Sequence, residues 1–190
     1  MKVFSQNRHK GMLAKSATLI AVSSILCVAA AQAANVASSP MVLTAYENGA
    51  GGESIMSGKL DQALVEIKKA RTITSLEYTA MMNNLCVVYA AKKQVAEATS
   101  TCTAALKLAK FERISSQRYS PGSVRENSYM AIAYANRAVA NLMANNAEGA
   151  KEDLARAKSL APSADFVSKN MLAAQNSRST IAQLEVAPAR

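Results

Sequence analysis

The chain has 190 residues, half of them apolar, with 22 basic and 13 acidic side chains, seven glycines, four prolines and no tryptophan. That length predicts one domain, and the abundance of Ala, Leu, Lys, Glu, Met and Gln predicts helices. A core so poor in aromatics has to rely on close backbone approach through alanine, and the net charge of +9 is for the whole chain, overstating that of a mature protein freed of a basic leader.

The first element is a leader. Lys2, Arg8, Lys10 and Lys15 precede an apolar run from Ser16 to Ala30, and Ala31-Gln32-Ala33 fits a small-x-small cleavage site. This is the layout of a secretory signal peptide over residues 1–33, with cleavage between Ala33 and Ala34. The apolar run is shorter than the roughly 20 residues that span a bilayer; an uncleaved anchor is the competing reading. Leu26 is too bulky for the position before the cysteine of a lipoprotein signal, so Cys27 does not make it one.

Cleavage removes four basic residues and no acidic one, leaving 18 against 13 and a net charge of +5. It also removes His9, the sole histidine. The mature chain is therefore expected to form no Ser-His-Asp triad, no Cys-His dyad and no His-ligated metal site. No catalytic residue, metal ligand or cofactor is assigned, and an enzyme is not expected. Gly49-Ala50-Gly51-Gly52 lacks the downstream Lys-Ser/Thr of a phosphate-binding loop. Residues 34–52 are expected to be flexible.

Beyond residue 52 the pattern turns helical and repeats. The segments 58–70, 93–105 and 146–157 align without gaps, each with a triplet at steps of four and three: Ala63, Ile67, Ala70; Ala98, Cys102, Ala105; Ala150, Leu154, Ala157. Those steps keep a triplet on one helical face, and alanine lets a partner helix come close. Thr74-x-x-Glu77 and Ser123-x-x-Glu126 read as capping boxes. Asn145-Asn146 marks a turn and Pro162 an end. The spacing predicts repeats over residues 53–73, 74–110 and 123–162, a loop insertion over 111–122, a terminal helix over 163–176 and a flexible tail over 177–190. Lys107, Lys110, Arg113, Arg118 and Arg125, with Phe111 and Tyr119, surround the insertion and read as a solvated loop. Glu148, Glu152 and Asp153 sit where a helix N-terminus favours negative charge.

The first and second triplets lie 35 residues apart, the second and third 52, which is one unit of about 34 and one unit with an insertion. With Asn136-Arg137-Ala138, Ala150, Ala157 and Pro162 in the third repeat, and Asn84, Cys86, Tyr89, Ala98 and Ala105 in the second, residues 53–162 resemble a tetratricopeptide-repeat protein of an exported bacterial type. The first repeat departs from the pattern, because its first helix would have to include Gly49, Gly51 and Gly52, each costing about 1 kcal/mol against alanine. The resemblance implies an all-α fold, a short helical-hairpin solenoid with a C-terminal capping helix. An unrelated bundle of helical hairpins is the competing architecture.

The resemblance also places Asn84 and Asn136 in a peptide groove, where an asparagine bonds a ligand backbone; tying neighbouring repeats together is the other role open to it. Ile132 and Asn136 stand where a clamp for a C-terminal carboxylate would have Lys and Arg, so no such clamp is expected. Cys86 and Cys102 fall on the facing helices of the second hairpin, and export favours a disulfide between them; two reduced core cysteines are the alternative. The function implied is a non-enzymatic periplasmic or secreted module binding a protein or peptide, with no nucleic-acid partner and no membrane span after cleavage. The runner-up is an oligomerisation or assembly element of an envelope complex, and a homo-oligomer belongs to that reading.

Overall fold

A computed structural model describes residues 40–71, 74–117, 124–175 and 184–189. The expected signal peptide, with Ala33 and Ala34, lies outside the described residues, as do Cys27, Ser123 and most of the tail. The elements run β1 (Met41–Ala45), α1 (Gly52–Met56), α2 (Leu60–Lys69), α3 (Ser75–Ala91), α4 (Val95–Gln117), α5 (Val124–Met143), α6 (Ala147–Leu160), α7 (Asp165–Gln175) and β2 (Leu184–Pro188). Among the described residues the fold is mostly helical, with one parallel pair of short strands.

The helices come as three hairpins closed by one kind of turn. Gly58, Lys93 and Asn145 each adopt a left-handed conformation, with φ of 71°, 59° and 59°. In each turn that residue's N–H bonds the carbonyl three residues back, and the next N–H bonds the carbonyl five back: Lys93 to Ala90 and Gln94 to Tyr89, Asn145 to Leu142 and Asn146 to Asn141, Gly58 to Ile55 and Lys59 to Ser54. These paired bonds satisfy the last carbonyls of α1, α3 and α5 and reverse the chain. The three turn residues keep the 35- and 52-residue offsets of the sequence triplets.

At the other end of α3, the Thr74 side chain accepts from the Glu77 N–H, while Glu77 reaches back to the Thr74 N–H, a complete capping box. Asn146 caps α6 by accepting from the Gly149 N–H at 3.1 Å. Among the triplet residues Ala63, Ala98, Cys102, Ala150 and Ala157 are fully or almost fully withdrawn from solvent, and Ile67, Ala105 and Leu154 nearly so. Ala70 ends α2 as its C-cap and is only half-buried. Asp153, in the second turn of α6, is buried at 2% exposure. Arg137 grips it from α5 with Nε at 2.8 Å and Nη2 at 2.6 Å, and Asn141 adds a third bond at 3.0 Å. The bond to Asp153 raises the Arg137 pKa above its ordinary value.

Three expectations are corrected. The segment 34–52, expected to be flexible, contains β1, all five residues of which are buried, and ends at Gly52, the first residue of the one-turn helix α1. The tail 177–190 contains β2, which pairs with β1 in parallel with Met41 opposite Leu184 and Ala45 opposite Pro188. The insertion 111–122 is helical as far as Gln117, because no Gly or Pro interrupts Phe111–Gln117 and α4 simply continues.

The main core joins β1 to α2, α3, α5 and α6 through Met41, Leu43, Ala45, Ile67, Val87, Val88, Val139 and Leu154. A second cluster, with Leu106, Ala109, Met130, Tyr134 and Val167, ties the middle of α4 to α5 and α7. Cys86 and Cys102 are disulfide-bonded, with Cα atoms 4.8 Å apart, and both are fully buried in the α3–α4 seam.

Candidate functional site

Each of α3, α5 and α7 uses one asparagine to bond both the N–H and the carbonyl of a single residue, in β1 for α5 and α7 and at Tyr46 just after it for α3. Asn170 accepts from the Val42 N–H at 2.6 Å and donates to the Val42 carbonyl at 2.8 Å. Asn136 does the same for Thr44, at 2.8 Å in both directions. Asn84 does it for Tyr46, at 2.8 and 2.9 Å. A primary amide carries one acceptor and a donor pair, so its face can match the N–H and C=O of one extended residue as a neighbouring strand would. Because alternate residues of a strand point their peptide groups to the same edge, three amides hold residues 42, 44 and 46, and the opposite edge is left for β2.

The ladder is braced within itself. Asn83 donates to the Thr44 carbonyl at 2.9 Å and accepts from Asn136 at 3.0 Å, and Asn84 also donates to the Ala50 carbonyl at 3.1 Å. Asn83, Asn84, Asn136 and Asn170 are all at most 2% exposed. Every hydrogen bond from these amides to β1 goes to main chain, so the ladder reads an extended backbone and not a sequence.

Both sequence-predicted groove residues, Asn84 and Asn136, therefore stand on one line, and the extended chain they hold is the protein's own. Asn170 and Asn83 were missed. Asn170 had a signal: it lies 34 residues after Asn136, one repeat period, on the helix read only as a cap. The corresponding place in the first repeat, 35 residues before Asn84, is Gly49. A Cβ there would come within 3.0 Å of the Asn84 Nδ2, so the ladder ends where the chain turns out of the groove.

A cavity of about 540 Å³ opens beside that exit. Its walls are Ala80, Glu77 and Leu76 of α3, which lie four, seven and eight residues before Asn84. On α5 they are Ile132, Tyr129 and Ser128, at the same three steps before Asn136. Those steps keep each set on the face that carries the asparagine. Tyr46 closes one side, its ring 5.0 Å from that of Tyr129. Withdrawal from water, with a smaller contribution from Tyr129, pushes the Tyr46 pKa well above the ordinary tyrosine value. Arg71 and Glu47 stand at the rim.

Among the described residues no group of three or more His, Cys, Asp or Glu is placed to hold a metal ion. No helix among them is long and apolar enough to cross a membrane. No family model matches the chain, and neither a curated protein nor a solved structure does.

Proposed function

We propose that the protein is a non-enzymatic, exported interaction module of tetratricopeptide type, whose concave helix face binds an extended polypeptide segment. One observation carries this reading: the period-two bonding of Val42, Thr44 and Tyr46 by Asn170, Asn136 and Asn84. A preformed row of rigid amides reduces the ordering cost on the receptor side, and backbone bonds supply affinity without demanding one sequence. Partner binding replaces β1 in the groove or uses the cavity beside it. The buried disulfide supports an oxidising compartment.

Immobilised mature protein should retain envelope polypeptides that an excess of a synthetic segment matching residues 40–47 releases. An identical retained set with and without the competitor would show that the groove is not where partners bind.

The assembly reading has its own observation. Phe111 and Ile114, on the extension of α4, are 63% and 59% exposed. They are apolar groups that a neighbouring chain could cover. A molar mass that rises with concentration in light scattering, and stays monomeric in a Phe111→Ser/Ile114→Ser variant, would favour it.

A further inference from the structure

We propose that β1 is a displaceable stand-in for the groove's true occupant, an extended apolar segment bearing an aliphatic side chain where Thr44 stands. This rests on the groove reading above and names the chemistry of the partner.

Thr44 is the middle contact of the ladder and is 1% exposed. Its peptide N–H and carbonyl are both satisfied, the carbonyl twice over, by Asn136 and Asn83. Its hydroxyl is not: Thr44 Oγ1 is buried without a hydrogen-bond partner among the described residues. A hydroxyl that is solvated in the released strand and orphaned in the bound one weakens binding of that strand. Nothing in the ladder asks for the hydroxyl, since the asparagines read main chain alone. Valine has the same shape with a methyl in its place, and would occupy the position without the loss.

The remaining positions define the rest of the partner. Met41, Leu43 and Ala45 are fully buried in the main core, so the alternate residues of an occupant must be apolar. Tyr46 stacks near Tyr129 at the cavity, so an aromatic residue suits the last ladder position. The favoured segment is thus a six-residue extended stretch with apolar, aliphatic, apolar, aliphatic, small and aromatic side chains in that order.

Two fluorescent peptides titrated into the full mature chain test this, one with the sequence of residues 40–47 and one carrying Thr44→Val, each with a solubilising lysine tail. Anisotropy should give a dissociation constant about tenfold lower for the valine peptide, equivalent to about 1.4 kcal/mol. The full chain carrying Thr44→Val should bind both peptides about tenfold more weakly than the wild type, because its own strand then competes better. Equal affinities of the two peptides for the wild type would overturn the inference while leaving the groove reading in place. Affinities unchanged in the Thr44→Val chain would place the binding outside the groove and overturn it as well. Absence of saturable binding by either peptide would overturn both.

Discussion

At Asn136 one side chain makes three hydrogen bonds in a site closed to water, and its shape explains why the residue is asparagine. An aspartate would accept from the Thr44 N–H but meet the Thr44 carbonyl and the Asn83 Oδ1 with no donor. Tyr46, at the end of the same ladder, is held by its backbone while its half-buried ring packs near Tyr129 and its phenol pKa is raised, which makes it a sensor of alkaline pH. The sign follows from linkage: the folded-state pKa is raised, so the folded chain keeps a proton that the unfolded chain loses from about pH 10. The contribution is intact below about pH 10 and is lost as pH rises toward the folded-state value. Tyr46→Phe removes the ionisation while keeping the ring. Melting temperatures between pH 8 and 11 should therefore fall less steeply for Tyr46→Phe than for the wild type. Parallel slopes would mean that the Tyr46 phenol ionises equally easily in both states.

Among the elements, the seam of each hairpin pairs a small group with a larger one at equivalent positions. In the first it is Gly51 and Ile67, so close that a Cβ on Gly51 would come within 2.8 Å of the isoleucine. In the third the same offsets give Ala138 and Leu154, both in the main core. In the second they give Cys86 and Cys102, so the disulfide takes the place of an apolar contact. It closes 16 residues, a cross-link worth about 3 kcal/mol by chain-entropy reasoning. Cys86→Ala/Cys102→Ala should lower Tm by about 6–12 °C for a domain of this size, and reductant should reproduce the loss in the wild type. A variant that melts with the wild type would show that packing alone holds the seam.

The same elements show what could be read from the chain. The hairpin turns, the Thr74 capping box and the alanine triplets were legible because their partners lie within one helical turn or one repeat. The strands were not. Met41–Ala45 is a five-residue run, apolar except for Thr44, whose polar partners are amides up to 128 residues away, and no local period announces such pairing. Leu184–Pro188 exists as a strand only because β1 offers it an edge.

For the whole molecule, this arrangement makes β1 the place where the two ends of the described chain meet: Asn170 of α7 and all of β2 hold a segment that precedes the first helix. Its two edges are secured differently. Val42, Thr44 and Tyr46 donate to asparagines of the helical body, while the alternate residues face β2, as the bond from the Ala189 N–H to the Ala45 carbonyl shows. Protection from hydrogen exchange should split along that line, since an amide's rate reports the opening of its own acceptor. In a chain truncated after Gln183, the amides of Leu43 and Ala45 should exchange rapidly, while those of Val42, Thr44 and Tyr46 stay protected. If all five lose protection together, the asparagines cannot hold the strand without β2, and the groove needs its second strand to bind anything. If the split appears, the ladder alone suffices to grip an extended chain, and the edge vacated by β2 becomes a place where a partner's strand can add without displacing β1.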